Sequence, residues 1–260
     1  MAIITLTSDW GLRDHYAGAV RGAILRLLPE IRIVDISHEI PPFDLNQAAF
    51  IIRNAYSNFP EGTIHIIAVN GEAAVETPHT LVSHHGQFFI GADNGIFSLI
   101  FDEKPEQVIE LDILQDSDYF TFPARDVFVK AACHLASGKP AAELGHPRDQ
   151  VVSKMAFRPV IQPDMIKGKV IYIDHYENAF VNITEKLFRQ VVGNRKFTIA
   201  FRSENYSITE ISRSYKDVNP GEMLALFSSS GYLQIAIREG KAGSLLGLKM
   251  DQLVTIEIGN

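Results

Sequence analysis

Polar residues with chemical potential gather at the ends of apolar runs. Ser8, Asp9, Arg13 and Asp14 follow the run Ile3–Thr7, and Ser37, His38 and Glu39 follow Ile31–Ile36. Asn70, Gly71 and Glu72 follow Thr63–Val69. In an open parallel sheet a ligand binds outside the carboxyl ends of the strands, so these residues are the first candidates for a site. A carboxylate such as Asp9 can accept from both hydroxyls of a cis diol, or it can cap the helix that follows. Glu72 can take a proton from water, or it can be a solvated loop residue. His38 fits a second-layer histidine. Asp93-Asn94-Gly95 fits an ordinary turn, and Arg125-Asp126 a surface pair or a cap. His84-His85 suggests a metal, but no carboxylate cluster is near it in sequence, so an exposed hairpin is favoured and no metal site is expected.

The elements that must position these residues are legible in the apolar pattern. Strand-like runs at 2–7, 31–36 and 63–69 alternate with helical patterns through Tyr16, Val20, Ile24 and Leu27 and over Asn46–Tyr56. That order predicts a parallel α/β sheet with helices on both faces. Further strand-like runs at Thr80–Ser83 and Gln87–Gly91 and a helix over Asp126–Ser137 complete an N-terminal α/β domain over residues 1–157. Residues 158–168, with Pro159 and Pro163, read as an irregular linker. Short strand-like segments at Lys169–Asp174, Lys196–Phe201, Met223–Phe227, Tyr232–Ile237 and Gln252–Glu257 then predict a smaller C-terminal β-barrel domain over 169–260.

Composition narrows the classes. The net charge is −7, with 24 Lys+Arg against 31 Asp+Glu, which argues against a phosphate-backbone partner and for no nucleic-acid role. Cys133 is the sole cysteine, so neither an internal disulfide nor a multi-cysteine metal site is available. No run approaches the ~18 apolar residues of a membrane span, and the N-terminus has no basic leader, so a cytoplasmic protein without a membrane partner is expected. Neither a glycine-rich phosphate loop nor a Gly-x-Ser-x-Gly elbow is present.

The run Thr7-Ser8-Asp9-Trp10-Gly11 with Arg13-Asp14, Gly18 and Arg21-Gly22 resembles the opening of the S-adenosylmethionine hydrolase family, also called S-adenosylmethionine hydroxide adenosyltransferases and related to the fluorinases and chlorinases. The similarity continues through Val34–Asp44, Ala92–Gly95, Arg125–Phe128, Tyr172–Asp174, Asn182-Ile183 and Ser228–Leu233, nearly the whole chain in order. The resemblance implies an N-terminal α/β domain, a C-terminal β-barrel and a homotrimer whose site lies between neighbouring subunits. It implies S-adenosylmethionine or adenosine as the small-molecule partner, bound as substrate or ligand with no cofactor.

It also implies roles. Asp9 holds the ribose hydroxyls, Phe43 and Tyr215 flank the nucleoside, and Phe122 lies near the base. Asn178 meets the adenine edge, Asp174 the methionine ammonium, and Ser229 or Ser230 its carboxylate. Hydrolases of the family carry an aspartate, an arginine and a histidine that activate water. Here those positions fall on Asn70, the Thr77-Pro78 region and Pro123, and the family's usual second-domain asparagine is Arg238. Halogenases have a tyrosine at the Asn70 position, and fluorinases have a serine where this chain has Ala124, so the resemblance argues against a halide-using relative. Two functions are therefore expected: hydrolysis to adenosine and L-methionine with Asn70 and Glu72 as the catalytic pair, Glu76 and His79 being further candidates for the base, or binding of the nucleoside without turnover.

Overall fold

The computed structural model describes residues 2–115, 118–155, 157–201 and 203–259. The chain divides into two compact units, Met1–Met155 and Ala156–Asn260.

In the first unit, β1 (Ile3–Ser8), α1 (Tyr16–Leu27), β2 (Arg32–Ser37), α2 (Leu45–Tyr56) and β3 (Ile64–Ala68) follow the expected alternation. Next come β4 (His79–His84), β5 (Gln87–Ala92), α3 (Ile96–Ile100) and β6 (Gln107–Leu111). A π-helical turn at Ala124–Phe128 leads into α4 (Val129–Ala136), and β7 (Gly145–Pro147) completes the unit. The seven strands lie in the order β2-β1-β3-β5-β4-β6-β7.

The expectation of a parallel sheet holds for half of it. Strands β2, β1, β3 and β5 are parallel, whereas β4, β6 and β7 are antiparallel. The reason is local: His85 and Gly86 both have positive φ (48° and 70°) in a two-residue turn, and such a turn can join only antiparallel neighbours. Helices cover both faces. Val20 and Ile24 of α1 and Val129 to Leu135 of α4 pack with Ile4, Leu6, Ile64 and Ile66. On the other face Ala48, Ala49 and Ile52 of α2, with Ile96, Phe97 and Ile100 of α3, pack on Ile67, Val82 and Phe89. No helix is long and apolar enough to cross a membrane among the described residues.

The second unit contains β8 (Val160–Gln162), β9 (Met165–Ile173), β10 (Ala179–Thr184), α5 (Glu185–Val191), β11 (Phe197–Phe201) and β12 (Ser203–Ile208). It ends with β13 (Met223–Phe227), β14 (Tyr232–Ile237), α6 (Ala242–Leu246) and β15 (Leu253–Ile258). These eight strands form one antiparallel, nearly barrel-shaped sheet, with β8 on the side of the path β12-β11-β15-β9-β10-β14-β13. Strand β9 is long enough to serve three partners: Met165–Lys167 pairs with β8, Met165–Lys169 with β15 and Val170–Ile173 with β10. The inward side chains, among them Ile166, Val181, Ile199, Leu233 and Val254, form its core.

Residues 158–168 are not an irregular linker. Val160–Gln162 and Met165–Lys167 pair as a hairpin of the second sheet, and Pro163 sits in the turn between them, where its missing N–H leaves no ladder bond unmade.

Candidate active site

A cavity of about 570 Å³ opens at the carboxyl ends of β1 and β3. Asp9, Phe43, Asn70, Glu72 and Phe122 all line it, and so do Pro123 and Ala124. Five of the ten expected site residues thus meet in one concavity of the first unit. Trp10, Tyr16 and Thr121 also line it.

Asp9 is not a helix cap. Helix α1 begins seven residues later, behind His15, and the Asp9 carboxylate accepts the Phe43 N–H at 2.9 Å. That contact joins the loop after β1 to the loop after β2, and the Gly11 N–H to His38 carbonyl bond of 2.7 Å joins them again. Phe43 has φ +66° and a 71% exposed side chain. A bulky residue in the left-handed region is strained, and such strain persists where the surroundings impose it, as at ligand sites.

A relay that runs from buried Ser8 and His38 to the partly exposed Asp35 and Arg21 holds the end of β1. His38 Nε2 has two neighbours, Asp35 Oδ1 at 3.0 Å and Arg21 Nη2 at 3.3 Å; the carboxylate can only accept and is the nearer, which assigns the proton to Nε2. Nδ1 is then the acceptor for the Ser8 hydroxyl at 2.7 Å. Arg21 clasps Asp35 through two nitrogens. Burial pushes the Asp35 pKa up, but the hydrogen bonds from Arg21 and His38 outweigh it and hold the carboxyl below its ordinary value. Trp10 lies parallel to the His38 ring, at 6.1 Å and 10°, and meets Phe122 edge-on at 5.5 Å. Tyr16 meets Phe122 edge-on at 5.3 Å. Aromatic walls and a fixed carboxylate suit a nucleoside, whose base stacks and whose diol donates.

The loop after β3 is shaped by groups outside the cavity. Asn70 takes φ +48°, and Asn94 Nδ2 donates to the carbonyls of Val69 and Asn70 at 3.2 and 2.9 Å. The Asn94 turn therefore has a second use. A methyl group at Gly71 would meet Phe128 and Pro123 at ordinary distances of 3.7 and 3.9 Å, so the fold itself does not require that glycine. Its absent side chain leaves room for a ligand to approach.

The candidates for a base separate here. Glu72 is exposed and on the cavity wall. Glu76 belongs to an exposed turn closed by Ala74 and Thr77 and lies off the wall. His79 Nε2 lies 3.1 Å from the Gly71 carbonyl and its ring packs edge-on against Phe128; burial lowers its pKa. It is neutral and donates to that carbonyl, a support for the loop. Arg125 pairs with the adjacent Asp126, at 2.6 and 2.8 Å.

The other five expected residues belong to the second unit. Asp174 accepts from the backbone N–H of Asn178 at 2.8 Å and from its Nδ2 at 3.0 Å. Asn178 is buried, and its amide donor is committed to Asp174. The Tyr215 hydroxyl donates to Gln234 Oε1 at 2.8 Å. Ser229 is exposed, whereas the Ser230 hydroxyl is engaged with that of Ser228 at 2.6 Å. Arg238 Nη1 donates to the Val218 carbonyl at 2.8 Å.

Sequence reasoning missed Trp10, Tyr16 and Thr121 as cavity residues, and Asn94 as a support. Trp10 adjoins Asp9 and could have been found from that position. Tyr16 was absorbed into the helical apolar stripe.

Known proteins resemble this chain over nearly its whole length. The SAM hydroxide adenosyltransferase N-terminal domain matches residues 4–145 and the C-terminal domain of the same family matches residues 168–255. The chain belongs to the SAM hydroxide adenosyltransferase family. It is 30% identical to the (R)-S-adenosyl-L-methionine hydrolase of Thermus thermophilus, over 96% of this chain and 97% of that one. It is 27% identical to the protein of the same name from Salinispora arenicola, over 98% of each. A crystal structure of an uncharacterized conserved protein from Thermotoga maritima superposes with a TM-score of 0.88 at 26% identity, covering 98% of this chain and 99% of that one.

Proposed function

We propose that this chain is an S-adenosylmethionine hydrolase that forms adenosine and L-methionine. The observation that carries the reading is the convergence of Asp9, the aromatic walls and the Asn70–Glu72 loop on one cavity. Full-length similarity to proteins named for this activity supports it.

The reaction is substitution at the ribose 5′ carbon. A water oxygen forms the new C–O bond as the C5′–S bond breaks, and that electron pair stays on sulfur, giving neutral methionine thioether. The water releases one proton. The sulfonium is already an activated leaving group, so no acid is needed; the protein must bind, orient and accept a proton. Asp9 binds the ribose diol, with Phe43 and Phe122 about the nucleoside. Asn70 orients the water through its amide, and Glu72 accepts the proton. Asp174 takes the methionine ammonium, with Ser229 or Ser230 at its carboxylate; Tyr215 and Asn178 complete the nucleoside contacts. No metal or cofactor takes part. The assembly is a homotrimer, which light scattering of the purified protein would show as three times the chain mass; a monomer of full activity would refute it.

The direct test is incubation with S-adenosylmethionine and chromatography of the products. Adenosine and methionine should appear in equal amounts. Tight nucleoside binding with no adenosine formed between about pH 6 and 10 would sink the hydrolase reading and leave a binding protein.

A further inference from the structure

The β4–β5 turn lies at the opposite end of the first sheet from the cavity, because β5 runs parallel to β1 and the turn precedes its first residue. His84 closes β4, and His85 opens the turn. Their neighbours in sequence offer no carboxylate ligand, but the fold brings one from the segment leading into β6. Glu106 Oε1 accepts the His85 N–H at 3.0 Å, and the Glu106 N–H donates to the Ser83 carbonyl at 3.1 Å. One ligand atom each from His84, His85 and Glu106 lie within 4.8 Å of one another. Glu103 adds a second carboxylate, its Oε2 3.7 Å from His85 Nε2.

A second observation is independent of that proximity. His84 is 3% exposed, and its Nδ1 is buried without a hydrogen-bond partner among the described residues. Buried polar atoms nearly always have a partner, and an exception calls for a missing water or ion. The ring is buried against Phe101, centroids 4.3 Å apart, so it is held in place.

We propose that His84, His85 and Glu106 form a binding site for a borderline divalent transition metal of the zinc class. Two imidazoles and one carboxylate match zinc, whereas magnesium and calcium require mainly oxygen donors. With metal–ligand bonds of about 2.0–2.2 Å, tetrahedral donors stand about 3.4 Å apart. Exposed His85 and Glu106 reach that spacing by side-chain rotation, while buried His84 stays fixed. Glu106 keeps one oxygen for the His85 N–H and gives the other to the metal. Glu103 or a water fills the fourth position. The ion would tie the β4–β5 hairpin to the start of β6, a structural clasp remote from the cavity and independent of the proposed hydrolysis.

The test uses untagged full-length protein, stripped with a chelator and titrated calorimetrically with zinc chloride. One site per chain of micromolar or tighter affinity is expected, with a rise in thermal midpoint. Cobalt(II) in its place should give the visible absorption of a low-coordinate nitrogen–oxygen site. His85→Ala and Glu106→Gln, both at exposed positions, should each weaken zinc by about tenfold or more, since even second-shell changes typically cost about 10–100-fold. His146→Ala, at another exposed histidine, should change nothing. Zinc binding no tighter than millimolar, binding unaffected by either substitution, or equal affinity for magnesium would each overturn the site.

Discussion

Two carboxylates in one cavity have different duties because their surroundings differ. Asp9 is half-buried and fixed by the Phe43 N–H, which suits a group that must hold a diol in one orientation. Asp9→Ala should lose about 1.5–3 kcal/mol of adenosine affinity by calorimetry, the range for hydrogen bonds to a charged group. Unchanged affinity would remove Asp9 from the ribose site. Glu72 is exposed, on the loop where Asn70 stands in the position of the family's aspartate. An amide has no lone pair basic enough to take a proton near neutral pH, so the proton must go elsewhere. Glu72→Gln should therefore slow adenosine formation at least tenfold, about 1.4 kcal/mol of barrier, with adenosine affinity retained. A wild-type rate would eliminate Glu72 as the base. Asp9, Asn70 and Glu72 were legible in the sequence because strand ends collect ligand groups; the family resemblance pointed to Asp9 and to the position of Asn70, and Glu72 stood out only as the carboxylate beside it. The exclusion of Glu76 was not legible, because four residues along an exposed turn carry a side chain away from the wall.

At the scale of elements, the cavity depends on how β1 and β2 end. Ser8, His38 and Asp35 are satisfied by one another and by Arg21 of α1, so the relay ties two parallel strands and a helix beneath Asp9. His38→Ala would leave the Ser8 hydroxyl and the Asp35 carboxylate without that partner, at a cost of about 1–3 kcal/mol of stability. It should also weaken adenosine binding, because Asp9 directly follows Ser8. Trp10, the chain's sole tryptophan, stacks on His38 and lines the cavity, so its fluorescence reports both effects. Normal affinity in a folded His38→Ala protein would show that the strand end is fixed without the relay. The helices α1 and α2 and strands β1 to β3 were legible because their apolar periods are unambiguous. The direction of β4 was not, since an apolar run reads the same in either direction and only the left-handed pair His85-Gly86 reverses it. Strand β10 was obscured because Asn178 borders and Asn182 interrupts its apolar pattern, although Asn182 accepts the Lys169 N–H at 2.7 Å within the sheet.

Across the whole molecule, histidines that burial holds neutral govern the response to acid. His65, the second residue of β3, is 1% exposed and lies between Thr5 of β1 and Gln87 of β5. The Gln87 amide nitrogen donates to the carbonyls of Tyr56 and Phe59, so its oxygen must accept the His65 Nε2–H, leaving Nδ1 to accept from Thr5. That leaves no ring nitrogen to bind a second proton, and burial lowers the His65 pKa from 6.5 to about 4. The folded-state value lies below the unfolded one, so between pH 6.5 and about 4 the unfolded chain binds the extra proton. Stability is therefore full above that window and falls as pH drops through it. The loss should approach about 3 kcal/mol at its lower end. His79, also shifted down by burial, adds loss of the same sign. Urea unfolding followed by Trp10 fluorescence should show the midpoint falling between pH 7 and 4.5. His65→Gln, which cannot titrate, should start from a lower stability at pH 7 but decline less over the same range. If the variant and the wild type decline in parallel, the acid dependence belongs to other groups and the assigned neutral tautomer of His65 is wrong.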